Sequence, residues 1–561
     1  MDRHHRHQVD SIRAGRSELE NHLIDELRAG KIGRREFVRR GAVVGMSVPL
    51  LSFLATACGV SREDLESKDK AQTAEPKPGG TIRMGQQQPA GALDPVTVNN
   101  QGGLVLLGQT GEYLIWSDPT LEPVPRLAES WKPNEDGSVW TFKLRKGVKF
   151  HNGKTMDAED VATSFNRLAD PENSSNALSA FTGVLSKGGA KAVDANTVEF
   201  TLDAPNGNFP YLTSSDNYNA IILPKNFDGD WEKDWIGTGP WKLGQFRQAE
   251  GATLVPFKEH WNPQRRPLAD QVEVIFYADE QGNVLGFQGN ECDVVVQYSV
   301  SGGKALLTDP SVITTEIRAA THRQVHMRTD KEPFNDKRVR QAMALLIDRR
   351  ALVEGLLDTK ADYGNDSPFA PVYQSTAKVE QRQQDVRKAK ELLAAAGKED
   401  GFSVELNTWK GFEMPDLAQL IQQNVRQAGI RVDLSITDSA TYYGEATFGN
   451  SRWLDSTMGI TEYGHRGVPN VLLGAPLLSD GTWNSAHFKN KRYDQLVKDY
   501  TAAIDLDVQR RTARQIQELL LDEVPIIFAY FYYFLAGAKD YIGGVKNNAM
   551  GHTDLSRAGL V

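Results

Sequence analysis

The sequence is poor in cysteine and has none of the common catalytic motifs. Its 561 residues include two cysteines, Cys58 and Cys292, which are too few for a disulfide framework or a cysteine metal site. We find no G-x-S-x-G nucleophile elbow, no H-E-x-x-H zinc motif, no Walker loop and no dinucleotide-binding fingerprint. These absences argue against an enzyme, and we expect neither a cofactor nor a metal.

The chain also has fewer basic than acidic residues. The chain has 64 Lys and Arg against 73 Asp and Glu, a formal net charge of −9. Basic residues outnumber acidic ones in residues 1–57, so the acidic excess lies in the rest of the chain. No basic stripe is present to neutralise phosphates, which argues against nucleic acid as a partner. The length exceeds that of one ordinary core and predicts two or more domains.

Long apolar runs are scarce, and the one that stands out lies near the N-terminus. Residues 41–57 carry no charge, a length that is marginal for a membrane span and closer to a signal-peptide core. Arg34 and Arg35 precede Phe37 in the twin-arginine export pattern. We interpret residues 1–57 as an export signal, and the alternative is a single anchoring helix.

The apolar run ends in a segment that allows two kinds of processing. Residues 54–58 resemble a lipobox, which would make Cys58 the lipidated first residue of the mature protein. Two acyl chains would anchor it stably to a membrane. The small residues Ala55 and Ala57 also fit ordinary signal cleavage, which would release a soluble protein. Residues 58–78 are charged and poor in large apolar side chains, as in a flexible tether.

The most informative stretch is residues 126–168, which reads as turn, strand, turn and helix. Apolar side chains alternate along its strand, at Trp140, Phe142 and Leu144, as in a half-buried strand. Asp157 is placed to cap the following helix, with Asp160 at the third helical position.

This stretch resembles the family 5 solute-binding proteins of ABC importers, through LAESW, TFKLRKGVKFHNGK and AEDV. Residues 331–357, KEPFNDKRVRQAMALLIDRRALVEGLL, carry a second resemblance. The resemblance implies an α/β fold of the periplasmic-binding-protein type II kind, with two hinged lobes and an extra subdomain on the first. It places lobe I at 79–322, lobe II at 323–528 and a return to lobe I at 529–561, with crossings near residues 322 and 529.

Helix and strand signals along the second half support an α/β lobe. We predict that Asn335 caps a helix, and that two further helices end at Gly397 and Gly429, each followed by a strand. Residues 453–483 look irregular, and residues 493–521 look helical. Asp505 and Asp507 read as a helix-capping turn in preference to a metal pair, and we expect Cys292 to be buried.

The resemblance implies a function without covalent chemistry. A small solute, either a peptide or a peptide-like or opine-like molecule, would be captured between the lobes and delivered to an ABC permease and ATPase complex. The protein would be an extracytoplasmic monomer, in the periplasm or on the outer face of the cell membrane. The alternatives are a sensor or chaperone-like lipoprotein that is not coupled to import, or a hydrolase.

We expect the solute to contact side chains from both lobes. Aromatic rings can form walls or cation–π platforms, and charged groups can fix the ends of a solute. The alternative interpretation of each tryptophan is ordinary core packing, and that of His465 is a surface imidazole. The candidate residues are Gln87 and Asn99 in lobe I, and Trp409, Trp453, Glu462, Tyr463, His465, Arg466 and Trp483 in lobe II.

One departure from the family pattern bears on the solute. Dipeptide binders carry a DPD sequence that pairs with the free amine of the substrate. Here both aspartates are replaced, by Val468 and Asn470. Glu462 is a possible substitute, whereas His465 and Arg466 indicate an anionic or polar solute.

Overall fold

The computed structural model describes residues 75–89, 93–227, 235–445 and 447–561. The predicted export arginines Arg34 and Arg35, the predicted lipidation site Cys58 and most of the predicted tether therefore lie outside the described residues. Residues 76–560 form one unit. None of the helices within the described ranges combines the length and the apolar character that a membrane span requires.

A seven-stranded sheet organises the first part of the molecule. Its central strand, Thr81–Gln87, runs parallel to the strands on both sides, and the outer pairings are antiparallel. Apolar side chains from both faces of the sheet are buried, and Cys292 is fully buried among them, as predicted. The strand order is Val312–Ile317, Phe534–Lys539, Val294–Tyr298, Thr81–Gln87, Gln271–Tyr277, Gly251–Pro256 and Trp241–Arg247.

A six-stranded sheet organises the second part. Ser403–Trp409 is parallel to both of its neighbours, and the remaining pairs are antiparallel. The strand order is Ala361–Tyr363, Ile526–Tyr532, His322–Met327, Met458–Tyr463, Ser403–Trp409 and Arg431–Thr437.

The stretch that carries the strongest sequence signal supplies two strands and the helix of a separate four-stranded sheet. The helix Ala158–Leu168 begins with a capping box, because Asp157 accepts hydrogen bonds from the Glu159 and Asp160 backbones. Phe142, Phe165 and Phe200 meet in a fully buried aromatic core. The strand and the cap predicted here are confirmed. The sheet order is Ala128–Pro133, Val139–Leu144, Thr197–Thr201 and Ala190–Asp194.

The remaining elements surround these sheets. Short strand pairs join Ile115–Ser117 to Pro123–Pro125, Ile542–Gly543 to Gly559–Leu560, and Lys546–Asn547 to Thr553–Asp554. In the first part of the molecule the helices are Gln101–Thr110, Leu178–Phe181, Phe209–Leu212, Glu280–Gln288 and Lys304–Thr308, with short 3-10 turns at Pro171–Asn173 and Pro263–Arg265. In the second part they are Lys337–Leu346, Val386–Ala395, Met414–Arg426, Ser439–Tyr443, Arg452–Asp455, Asn470–Gly474, Lys491–Ala502 and Leu506–Glu523, with a π-helical turn at Ala351–Leu356.

The predicted glycine stops of two helices are confirmed. Gly397 and Gly429 follow the helices Val386–Ala395 and Met414–Arg426 with φ of 68° and 79°. An L side chain is strained at such φ values, so glycine is the residue that ends a helix there.

Three predictions about this half need correction. The helix cap is Asp336, not Asn335, because the Asp336 side chain accepts from the Arg338 backbone. Residues 453–483 are not simply irregular, since they contain the buried strand Met458–Tyr463. The predicted helix over residues 493–521 is two helices, and Asp505 caps the second one.

The chain passes between the two large sheets twice. The first passage is residues 318–321, and the second is Tyr533. These passages lie side by side, because the Tyr532 backbone N–H donates to the Thr321 carbonyl at 3.0 Å. Residues 322 and 529 both lie inside strands of the six-stranded sheet, so the passages fall a few residues from the positions we predicted.

Candidate functional site

A cleft of about 420 Å³ lies where the two large sheets meet. Gln87 reaches it from the end of the central strand of the seven-stranded sheet, and Tyr298 from the end of a neighbouring strand. Thr321 and Tyr533, at the two passages between the sheets, also line it. Residues from both halves of the molecule therefore line one cleft.

The structure brings together five of the residues that the sequence singled out. Gln87, Asn99, Glu462, His465 and Arg466 all line the cleft. The first two come from the half built on the seven-stranded sheet. Of the other three, Glu462 lies in the strand Met458–Tyr463 of the six-stranded sheet, and His465 and Arg466 come just after it.

The four aromatic candidates lie outside the cleft lining. Trp453 and Tyr463 are 7% and 8% exposed. Trp453 contacts Tyr443, and Trp483 contacts Tyr463, each with ring centroids 5.9 Å apart. Trp409 packs on the same aromatic group and on the core of the six-stranded sheet. Core packing, the alternative we gave for each tryptophan, describes these surroundings.

Arg323 is the most connected cleft residue, and sequence reasoning missed it. Its guanidinium donates to both oxygens of Glu413, with Nε–Oε1 and Nη2–Oε2 distances of 2.9 and 3.1 Å. Nη1 also donates to Glu462 Oε2 at 3.0 Å and to the Tyr532 hydroxyl at 2.8 Å. The Arg323 side chain is only 2% exposed, so its charge is neutralised inside the protein as buried charges require.

The pKa values of the two carboxylates that share Arg323 are shifted in opposite directions. Burial alone would raise the pKa of Glu413, but the charge and hydrogen bonds of Arg323 outweigh it and lower that pKa. Burial raises the pKa of Glu462, and Arg323 offsets this only in part. The Glu462 side chain keeps 34% of its surface exposed, against 6% for Glu413. Glu462 is therefore the carboxylate of this group that a cationic ligand can reach.

Arg466 supplies the opposite charge. Its Nη1 donates to the carbonyl of His465 at 2.8 Å, and no carboxylate of the described residues lies within ion-pair distance of it. Part of the Arg466 fork therefore remains available for an anionic group.

His465 is buried, with 2% of its surface exposed, and is not the surface imidazole that we gave as its alternative. Its Nδ1 accepts a hydrogen bond from the Ala320 backbone at 3.0 Å, which puts the proton of a neutral ring on Nε2. Burial, with the charge of Arg466, lowers the His465 pKa to about 3. The ring is neutral at ordinary pH, and its buried Nε2 lies 3.8 Å from Oδ1 of Asp216.

Further cleft residues carried little sequence signal. Aromatic side chains line much of the surface, and Phe412 and Tyr532 both face the Arg323 guanidinium at 5.4 and 4.4 Å. A run of aromatic residues at 530–534 just before a return strand could have directed attention there. The residues missed include Tyr218, Glu280, Tyr298, Ser299, Thr321, Arg323, Phe412, Glu413, Tyr532 and Tyr533.

The arrangement suits recognition of a small molecule that carries both charges. It combines a reachable carboxylate, an arginine that pairs with no carboxylate of the described residues, and aromatic walls. Such mixtures of apolar wall and a few placed polar groups are typical of ligand sites. Within the described ranges, no group of three or more His, Cys, Asp or Glu side chains is arranged to hold a metal ion.

Comparisons with known proteins show what the chain is similar to. Residues 122–463 match the family model described as bacterial extracellular solute-binding proteins, family 5 middle. The dipeptide-binding protein DppE of Bacillus subtilis is 25% identical, over 92% of this chain and 98% of its own. Heme-binding protein A of Haemophilus influenzae is 26% identical, over 72% of this chain and 78% of its own.

A solved structure shows the same fold. The substrate-binding protein CtaP of Listeria monocytogenes superposes with a TM-score of 0.75 at 21% identity, over 86% of this chain and all of its own. The predicted α/β fold with two lobes is confirmed by such matches.

Proposed function

Because the chain belongs to the bacterial extracellular solute-binding proteins of family 5, we propose that its cleft captures a peptide or a peptide-like solute for an ABC importer. Solute binding is the role its family gives it. The relatives named above bind a dipeptide and heme, so the class of solute has to be argued from this cleft.

The observation that supports a peptide-like solute is the pairing of opposite charges in one cleft. Among the described residues no carboxylate lies within ion-pair distance of Arg466, and Glu462 is the exposed member of the Arg323 group. A solute carboxylate would pair with Arg466, and a solute amine would pair with Glu462. The two ends of a short peptide or an opine can supply these groups. A cleft of about 420 Å³ falls in the range of small-ligand sites.

Capture follows from population shift. A solute that touches both halves of the cleft stabilises the form in which the halves are closed, by its difference in affinity for the closed and open forms. The solute leaves unchanged, so we propose a binding protein and not an enzyme. A permease and ATPase complex would receive the closed form.

We further propose that the protein is exported through Arg34 and Arg35 and held at the membrane by lipid on Cys58. The support is the sequence pattern, since two acyl chains give stable anchoring. It would act as a monomer on the outer side of the membrane. The intact mass of the mature protein tests the anchor: a diacylated N-terminal Cys58 is expected, and an unmodified N-terminus would contradict it.

The test of the cleft is the variant Arg466→Ala. Calorimetric titration with a panel of dipeptides and opines, together with mass spectrometry of molecules that co-purify, identifies a solute. We expect Arg466→Ala to weaken binding of a carboxylate-bearing solute at least about tenfold, because a charge-assisted contact is lost. The control is Arg511→Ala, which changes an exposed arginine on the helix Leu506–Glu523. Equal affinity of wild type and Arg466→Ala would rule out this assignment.

A further inference from the structure

A second cavity, of about 1190 Å³, lies on the first half of the molecule and shares no lining residue with the cleft. Residues 116–126, Arg145, residues 261–265 and residues 544–557 contribute to its walls. We call it the basic groove. Its separation from the cleft means that whatever it binds need not be the transported solute.

The charge of the basic groove is opposite to that of the chain. Five cationic side chains line it, against two anionic ones, in a protein of net charge −9. The two acids are already engaged, since Asp118 accepts hydrogen bonds within its own turn and Asp554 pairs with Arg265 at 2.8 Å. The cationic residues are Arg126, Arg145, Arg265, Lys546 and Arg557.

The Arg126 guanidinium lacks a hydrogen-bonding or ionic partner among the described residues. Its guanidinium lies 4.8 Å from the centre of the Trp116 ring, but it makes no hydrogen bond or ion pair with any described side chain. Its Nε is buried without a hydrogen-bond partner. Burial and the nearby charge of Arg265 lower the Arg126 pKa to about 10, against the opposing charges of Asp554 and Glu112. A buried N–H with an unmade hydrogen bond is costly to keep, and an anion would satisfy it.

Arg145, like Arg126, lies against a tryptophan ring. Its guanidinium lies 4.4 Å from the centre of the Trp261 ring, and its Nε donates to the Arg126 carbonyl at 3.0 Å. Within the described part of the chain its one carboxylate contact is Glu129, at 3.5 Å. Trp261 is itself fixed by a 2.8 Å hydrogen bond to Glu112. Two tryptophans therefore orient two guanidiniums that keep free N–H groups.

We propose that the basic groove is a second binding site, for a ligand that carries a phosphate group, held by Arg126 and Arg145. Planar guanidinium forks match the oxygens of phosphate in paired hydrogen bonds. Phosphate offers more acceptor oxygens than the single edge of a carboxylate, so it can occupy two forks at once. A free phosphate compound and a phospholipid headgroup share this chemistry.

Pyrophosphate is the first probe. Isothermal titration of the full-length protein should show saturable binding, and Arg126→Gln should weaken it at least tenfold. Arg145→Gln serves as the second variant, with a loss of at least threefold, in case Arg126→Gln does not fold. Circular dichroism shows which variants are folded. Arg511→Gln, outside the groove, should bind as the wild type does. No binding by the wild type, or equal binding by the wild type and a folded groove variant, would overturn the proposal.

The second probe separates the two sources of phosphate. Dihexanoyl phosphatidylglycerol is a soluble lipid with the phosphodiester headgroup, and it is titrated in the same way. Tighter binding of this lipid than of pyrophosphate assigns the site to a lipid headgroup, and the reverse assigns it to a free phosphate compound. Either result supports the site if the Arg126→Gln variant loses the binding. Solute binding in the cleft should be unchanged by Arg126→Gln, so failure here leaves the proposed function intact.

Discussion

At the scale of single residues, the cleft depends on how one buried arginine is shared. Arg323 holds Glu413 with two hydrogen bonds and Glu462 with one. This unequal division keeps Glu413 charged and structural, while Glu462 remains partly exposed to the cleft. Loss of Arg323 would leave the buried Glu413 and the partly exposed Glu462 close together without a cation, which is unfavourable.

Asp216 supports a prediction about pH. It is nearly buried, and its Oδ1 lies 3.8 Å from Nε2 of His465. Burial raises the Asp216 pKa from 3.8 to about 7. The folded protein therefore holds the proton more tightly than the unfolded chain, and charging Asp216 between pH 4 and 7 destabilises the fold. Across that window, the free energy of unfolding of Asp216→Asn should rise relative to that of the wild type, by about 1.4 kcal/mol for each pH unit.

Urea unfolding at pH 4, 5.5, 7 and 8 measures this difference. Comparison with the wild type at each pH is required, because His465 has the opposite dependence: its lowered pKa makes the fold less stable as pH falls below about 6.5. The difference should be near zero at pH 4 and level off above pH 7. Asp480→Asn, at an exposed position, should show no such trend. A constant difference at all four pH values would contradict the argument.

The sequence placed part of the cleft and missed the rest for physical reasons. Glu462, His465 and Arg466 were found because charged residues stand out in a loop-like stretch. Arg323 lies in a strand whose six residues are all buried, and its partner Glu413 is 90 residues away, so no local pattern joins them. A tryptophan suits a core and a ligand wall equally, and burial alone distinguishes the two cases.

At the scale of elements, local chemistry decided where helices begin and end. In the Asp157 cap, the Asp157 carboxylate accepts from the Glu159 and Asp160 backbones, and Asp160 Oδ2 accepts from the Asp157 backbone. Asp157→Ala should lower the free energy of unfolding by about 1 kcal/mol, the usual loss for an N-cap. Urea denaturation checks this, with Glu135→Ala, an exposed position in the same part of the chain, as the control. An equal effect of the two variants would show that the cap contributes nothing.

Elements with one buried face were predictable, and those with two were not. Val139–Leu144 alternates between more and less buried residues, so its period of two is visible. Met458–Tyr463 has neighbouring strands on both sides and five of its six residues buried, so no alternation marks it. Its position in the middle of the six-stranded sheet is nevertheless what places Glu462 and the residues after it at the cleft.

At the scale of the whole molecule, two adjacent passages connect the halves. Thr321 and Tyr532 are joined by a backbone hydrogen bond and by the Thr321 hydroxyl, which donates to the Tyr532 carbonyl at 2.5 Å. Both residues also line the cleft. Rotation about these two short segments would move the halves while leaving each sheet intact, as in hinge closure around a ligand.

A ligand-driven hinge makes a prediction that separates binding from closure. Saturating solute should reduce the radius of gyration of the wild type in small-angle scattering, because only the closed form lets the solute touch both halves. Arg466→Ala should need at least about ten times more solute to reach the same compact form, since affinity falls but the hinge is unaltered. Asp157→Ala, which changes neither cleft nor hinge, should follow the wild-type curve. A radius that does not change at saturation would mean that the halves do not close on the solute, and binding would then have to be explained by a rigid cleft.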